Sequence, residues 1–573
     1  MNFYSSIKAS RESYVDTLSR LYEYSTAAFE KKPFLNLVGA DTHYTYGQFK
    51  KRTDAMSKIL GQYGIGAGDR VAVLSASTPN WSVAMFSSVA FGRIFVPILP
   101  DSSQSEVTNI LNHSESKAIF VSKRLYPNIS QECREKLTLI IDIETLEIVK
   151  ERDDAFTIDG KVSRPMPDDI AAIIYTSGTT GSAKGVVLSH RNLAACAKSS
   201  YHCQKCNSKD VWLSILPLAH TYELSIGLLY PMYVGASINY LSKPPSVSVL
   251  LSAMKEVKPS IILSVPLIIE KVYKSSVVPT IRKSRLLTWM DKHFHKFTAR
   301  IICRKLNLTF GGNVKFFGIG GAKLDVGVEQ FLKDGKFPYA IGYGCTETAP
   351  LICAAPVKKT CPGSIGTAVH GMEAKLYNVD EATGEGEIVA RGEHVMLGYY
   401  KDPARTKAAF TPDGWYRTND LAIQDEKGRF FIKGRLNNMI LGASGENIYP
   451  EEIENVISDV EGVNESVVLE RDGRLVALVQ FDESIIDWNH AGEDKFFDNL
   501  ESRKQAILDY VNKHVSKGSR VSEVEVMEKP FEKTATQKIR RFLYKEAKGV
   551  SRTTTKEESA ASVASSKKED KKS

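Results

Sequence analysis

DIAAIIYTSGTTGSAKGVVLSH, residues 169–190, sets two apolar, β-branched runs on either side of a loop made almost wholly of glycine, serine and threonine. The first run, DIAAIIYT, reads as a buried strand, GVVL reads as a second, and Ser189 stands where it would cap a following helix. Between them Gly178, Gly181 and Gly185 let the backbone take positive φ and approach a ligand closely. Thr176, Ser177, Thr179, Thr180 and Ser182 add hydroxyl donors, and Lys184 adds a compact cation suited to phosphate oxygens. Such a set of donors makes a cradle for a polyanion. A flexible surface loop normally bridges exposed chain ends, whereas this one joins two apolar runs. It is not a Walker loop, because Ser182 and Ala183 separate the lysine from Gly181 and Gly185 follows it.

The same texture extends in both directions. RVAVLSAS (70–77), AIFVS (118–122), LTLIID (137–142), IILSVP (261–266) and VKFFGIGG (314–321) are further short apolar runs, separated by helical patterns. Buried parallel strands read this way, so the fold class is α/β. From Gly371 to Gly434 shorter strands with turns such as Thr-Gly-Glu-Gly (383–386) suggest a β-rich subdomain. The predicted organisation is a large domain over 1–434, its β-rich part at about 371–434, and a small mobile α+β domain over 435–547. The final stretch, 548–573, is serine, lysine and glutamate with little to bury and is expected to be disordered.

Composition excludes several classes. The 573 residues are 43% hydrophobic and 25% charged, within the range of globular proteins, and 75 basic residues stand against 67 acidic ones. A net charge of +8 over this length does not call for nucleic acid. No apolar run is long enough for a membrane span and the N-terminus lacks a signal core, so the expected location is cytoplasmic. The eight cysteines show no repeated spacing and fit free thiols. Cys203 and Cys206 form a lone CxxC next to His202, short of the four ligands a structural zinc site needs. Basic residues concentrate in Arg282–Lys305, with eight Lys or Arg against Asp291 alone. There Leu286, Met290, Phe294, Phe297 and Ile301 recur at helical spacing. Most such stripes pack on the protein's own core, which is the expectation; the alternative is peripheral attachment to the inner face of a membrane through 282–305.

At YTSGTTGSAKGVVLSH the chain resembles the adenylate-forming (AMP-binding) superfamily of acyl-CoA synthetases, luciferases and peptide-synthetase adenylation domains. The likeness continues from about residue 30 to 545, with further motifs in the family's order. It implies ATP, Mg²⁺ and coenzyme A as cofactors, and two steps. A carboxylate first attacks the α-phosphate and releases pyrophosphate; a thiol then displaces AMP.

The resemblance also assigns roles. LPLAHTYE (216–223) would line the acyl pocket, with His220 near the carboxylate, and in GIGGAKLD (318–325) Gly321 and Ala322 would contact adenine. In IGYGCTET (341–348) Tyr343, flanked by Gly342 and Gly344, would stack on the base, Thr346 would touch the α-phosphate and Glu347 would hold Mg²⁺ together with Thr176. Asp420 of GWYRTND and Arg435 would bind the ribose, Asn437 would be the hinge, and Gly445 would face the incoming thiol. In KTATQKIRR (533–541) Lys538 would stabilise charge in the adenylation step, making Lys538, His220, Thr346 and Glu347 the catalytic set. Three positions depart from the family pattern: Asn419 replaces a usual glycine, Asn437 a usual lysine or aspartate, and Gln537 a usual glycine.

LSVPLIIEKVYKS (263–275) and the insertion of about fifty residues after Pro266 resemble the long-chain fatty acyl-CoA synthetase branch. After Glu223, however, the chain lacks the arginine and second glutamate common in that branch. The runner-up readings are an amino-acid or aryl-acid adenylating enzyme, with Glu223 as a candidate ammonium partner, and an acyl-acyl-carrier-protein synthetase.

Overall fold

The computed structural model describes residues 11–151, 164–176, 184–441, 447–482, 485, 486, 488, 494–533, 539–547, 549 and 550. The chain divides into a larger unit, up to Thr418 together with Ile423–Ile432, and a smaller one, Asn419–Ala422 with Lys433 onward.

Two sheets organise the larger unit. In the eight-stranded one, β1 (Ile170–Thr176) and β2 (Lys184–Ser189) are antiparallel neighbours at one side. Beyond β1 lie Ile94–Ile98, Arg70–Leu74, Ala118–Val121 and Leu139–Asp142, all parallel, each an apolar run buried on both faces by helices. Ser189 does cap the next helix, His190–Cys203, accepting from the Asn192 amide.

The nine-stranded sheet has a parallel centre, within which Val211–Ser214 and Ile261–Ser264 neighbour each other. Two helices pack on this side, α1 (Val247–Val257) and α2 (Arg285–Thr309), capped by Ser246 and Ser284. Next come β3 (Phe316–Ile319) and β4 (Tyr339–Gly344), parallel to each other. Leu213, Ile262, Phe317 and Tyr339 from the sheet meet Ile302, Cys303 and Leu306 of α2 in one core.

Helix α2 overturns the expectation that its apolar stripe packs inward. Leu286 is 65% exposed, Phe294 57%, Phe297 55% and Ile301 44%, whereas the buried residues are Thr298, Ala299, Ile302, Cys303 and Leu306. Small and medium side chains let the helix lie close to the sheet, and the large ones are left on the outside. The helix also breaks at Phe294, whose φ of −139° and ψ of 47° are not helical, so the stripe is not one straight row.

A four-stranded sheet contains Met372–Tyr377 and Gly386–Gly392, with Tyr416–Gln424 and Phe430–Arg435 after them. The smaller unit has its own sheet, Val463–Arg471, Arg474–Phe481 and Glu523–Val526, covered by helices Pro450–Ser458 and Asp494–His514 around a separate aliphatic core. All eight cysteines are free thiols. No helix among the described residues is long and apolar enough to cross a membrane.

Candidate active site

The register of β1 against β2 sets Thr176 opposite Lys184, so the two ends of the glycine-rich loop lie side by side. Lys184 Nζ donates to Glu347 Oε1 at 2.6 Å and to the Tyr399 hydroxyl at 2.9 Å, and that hydroxyl donates to Glu347 Oε1 at 2.9 Å. The ammonium also stands 4.6 Å from the Tyr399 ring centre. Glu347 sits on a tight turn after β4, fixed by its own carbonyl, which accepts from the Met396 amide at 2.8 Å. Tyr399 is fixed by strand Gly398–Tyr399, which pairs with β2, and by the Tyr400 amide, which donates to Gly185.

Electrostatics follow from this packing. Burial pushes the Glu347 carboxyl up, but the Lys184 ammonium and the backbone and Tyr399 hydrogen bonds together outweigh it and hold the group below the usual glutamate range. Burial, and then the Glu347 charge, push the Tyr399 phenol far up, so it stays a neutral donor. Beside this ionised pair the Thr176 hydroxyl is buried without a hydrogen-bond partner among the described residues. An ionised carboxylate and a partnerless hydroxyl are the hard oxygen donors that Mg²⁺ takes alongside phosphate, so the residues present fit that ion.

The other candidates gather at the carboxyl ends of β3 and β4, which lie in register with Ile319 beside Ile341. Ligands of open α/β sheets bind at such ends. Gly321, with φ of +89°, and Ala322 are exposed on the bend after β3. Gly342, the half-buried Tyr343 and Gly344 end β4, and Thr346 follows. A Cβ on Gly344 would lie 1.7 Å from the Pro350 carbonyl oxygen, so only glycine fits there.

His220 is partly exposed on the bend after Val211–Ser214, its amide donating to the Pro217 carbonyl at 3.0 Å. A π-helix, Glu223–Leu229, begins directly after it; such segments are frequent at functional sites. Glu223 is fully buried there. One carboxyl oxygen accepts from Ser214 Oγ at 2.5 Å, the other has no partner among the described residues, and burial pushes its pKa up to about 8.

Asp420 and Arg435 lie in the smaller unit and pair at 3.1 Å. Asn419 has φ of +59°, the left-handed conformation that glycine takes most easily and asparagine tolerates. The departure from glycine therefore keeps the left-handed backbone that precedes Asp420 inside the strand Tyr416–Gln424. Asn437 lies in the turn after Phe430–Arg435. Ser177, Gly178, Thr179, Thr180, Gly181, Gly445 and Lys538 lie outside the described residues.

Sequence reasoning missed Tyr399, in the segment GYY (398–400). The one available signal was the tyrosine pair GYY, since a phenol in a two-residue strand is more than apolar filling. In the CxxC pair, burial raises the Cys203 thiol to about 11 and the Cys206 thiol to about 12. His202 bonds Glu12 at 2.7 Å and stacks on His370.

The AMP-binding enzyme family matches residues 22–400. Among curated proteins the chain is 29% identical to long chain acyl-CoA synthetase 6, peroxisomal, of Arabidopsis thaliana, over 78% of this chain and 70% of that protein. It is 26% identical to long-chain-fatty-acid–CoA ligase 1 of Homo sapiens, over 86% of this chain and 78% of that one. Among solved structures, o-succinylbenzoate CoA synthetase of Bacillus subtilis with its acyl-adenylate superposes with a TM-score of 0.74 at 23% identity, covering 93% of this chain and 99% of that one. Since the family match spans well over half of its length, this chain belongs to the AMP-binding enzymes.

Proposed function

We propose that the chain is an ATP-dependent acid–thiol ligase that converts a long-chain fatty acid to its coenzyme A thioester through an acyl-adenylate. The observation that carries this reading is the Lys184–Glu347–Tyr399 group beside the Thr176 hydroxyl, buried without a partner among the described residues, at the two ends of the glycine-rich loop. In the first step a carboxylate oxygen attacks the α-phosphorus, and the bond from that phosphorus to the bridging oxygen of the β-phosphate breaks. Pyrophosphate leaves with the electron pair. Lys184 pairs with the leaving phosphates, Tyr399 keeps Glu347 oriented, and Tyr343 gives the adenine a flat face. A magnesium ion held by Glu347 and Thr176 would neutralise charge on the departing pyrophosphate. Lys538 stabilises the charge on the α-phosphate. In the second step the coenzyme A sulfur attacks the acyl carbon, the C–O bond to AMP breaks, and the thiol proton passes to solvent.

The long-chain assignment draws on the names of the curated relatives and on Glu223. An amino-acid substrate needs an ionised carboxylate for its ammonium, whereas Glu223 is buried against Ser214, and burial pushes its pKa up to about 8, toward the neutral carboxyl. The substrate half of the reading includes a place of work: the chain attaches peripherally to a membrane through α2.

Pyrophosphate release across fatty, aromatic and amino acids, with and without coenzyme A, tests the reading. Release with long-chain fatty acids, completed by coenzyme A, is the expected result; release with amino acids alone would overturn it. Acyl-carrier protein replaces coenzyme A in a parallel assay to fix the acceptor. Lys538→Ala should slow acyl-adenylate formation by roughly 10²–10³-fold and leave thioester formation from supplied acyl-AMP intact. Equal loss of both half-reactions removes Lys538 from the first step.

A further inference from the structure

We propose that α2 docks on an anionic phospholipid bilayer, with Trp289, Phe294, Phe297 and Ile301 entering the boundary between headgroups and acyl chains. The docking rests on the reading of the chain as a peripheral protein, and it adds the side chains that enter the lipid and the charge of the lipid that receives them.

At about 100° per residue, Phe297, Ile301 and Leu308 fall opposite the buried Ile302, Cys303 and Leu306. A solvent-facing helix carries charge at that position; here it carries large apolar side chains. Leu286 is 65% exposed, Trp289 55%, Phe294 57%, Phe297 55%, Ile301 44% and Leu308 67%. Trp289 and Phe294 lie 5.8 Å apart, so the exposed rings form a cluster. Patches of this kind mark an interaction surface.

Charge selects the occupant. Arg300 and Arg304 lie on one side of the Phe297–Ile301–Leu308 row and Lys305 on the other, and Lys292 and Lys296 continue the cationic edge. Among the described residues none of the eight Lys or Arg in 282–305 forms a salt bridge. The single acid of the segment, Asp291, is taken up by His295 at 2.9 Å. Unpaired cations flanking an apolar row complement a surface of lipid phosphates over a hydrocarbon layer. Trp289 suits the boundary itself, having an apolar body and one polar edge.

The apolar surface continues beyond the helix. Leu308 and Leu251 of α1 line a cavity of 410 Å³ that also has Lys255 and Lys258 on its wall. Val247, at the start of α1, is 60% exposed. The docking face thus spans two helices with the same pairing of aliphatic floor and lysine rim.

The test uses the full chain with vesicles of phosphatidylcholine alone and of phosphatidylcholine with phosphatidylglycerol. The parent should sediment with the anionic vesicles far more than with the neutral ones, and less as salt rises. Replacing Lys292, Lys296, Arg300 and Arg304 by glutamine should lower partitioning about fivefold per cation, roughly two to three orders of magnitude together. Trp289→Ala with Phe297→Ala and Ile301→Ala should weaken binding to the anionic vesicles at least tenfold. Brominated lipid should quench tryptophan fluorescence in the parent and not in Trp289→Phe, which places that ring in the bilayer. Equal sedimentation with both vesicle types, no sedimentation at all, or a dimer that the triple alanine variant dissolves would each overturn the proposal; the last would assign the face to a second copy of the chain. Pyrophosphate release without vesicles reports the ligase reading separately and should stay at the parent level in every variant.

Discussion

The ends of the glycine-rich loop and helix α2 both carry basic and aromatic side chains, with opposite consequences. At the ends of the glycine-rich loop Lys184 turns inward onto Tyr399 and Glu347, in a setting where Glu347 is 5% exposed. Along α2 the lysines and arginines point outward, without acids, among rings that are themselves exposed. The difference lies in the partner supplied. A buried cation is tolerable only with a matched anion, whereas an exposed one needs none and remains available to a ligand outside the chain.

The comparison breaks most visibly if Lys184 proves as dispensable to folding as Lys296. Lys184→Ala strands the Glu347 carboxylate and should cost about 3 kcal/mol, read by chemical denaturation. Lys296→Ala should cost under about 0.5 kcal/mol in the same assay. The sign of the pH effect follows: Glu347, held below its ordinary range, contributes stability at neutral pH that is lost as pH falls through its folded value. Lys184→Ala should therefore be less sensitive to acid than the parent.

Tyr399→Phe keeps the ring and the ion pair but deletes the hydroxyl's two hydrogen bonds to charged groups, Glu347 and Lys184, so a loss of about 2 kcal/mol is expected. The same variant should raise KM for magnesium nucleotide more than it lowers kcat, because the phenol orients a binding group. Smaller still is the effect of Glu223→Gln. Burial keeps Glu223 protonated up to about pH 8, so its contribution is full in acid and is lost as pH rises toward that value. Melting temperatures of the parent from pH 5 to 9 should decline with a slope that the glutamine variant lessens. Asn419→Gly should change stability by under about 0.5 kcal/mol, since glycine gains backbone ease and loses unfolded-state restraint. A large destabilisation would mean that the asparagine side chain, rather than its φ, holds the backbone there.

The parallel strands were readable because strands covered on both faces must be apolar throughout, and no other short element shows that pattern. The runs flanking the loop were readable for the same reason and are β1 and β2, while residues 177–183 between them lie outside the described residues. Tyr399 was not: its contact with Glu347 joins residues far apart in the chain, and no local pattern announces it. The stripe on α2 was found and its direction was misjudged. Periodicity identifies a face but does not say which way that face turns, and here the inward face sets the small Thr298, Ala299 and Cys303 beside Ile302 and Leu306 while the rings lie outside. Nor could the run after His220 disclose a π-helix, since LSIGLL suits any buried helix.

The mutual bonding of Lys184, Glu347 and Tyr399 sets a condition on what can be admitted. A bare polyphosphate that captured Lys184 would leave a buried carboxylate facing more negative charge. A bare divalent cation that captured Glu347 would leave the ammonium facing more positive charge. Only a ligand bringing both signs at once, a nucleotide already carrying its metal, can part the pair without stranding either member. On this account the closed group works as a coincidence gate, discriminating against each half of the ligand in favour of the whole.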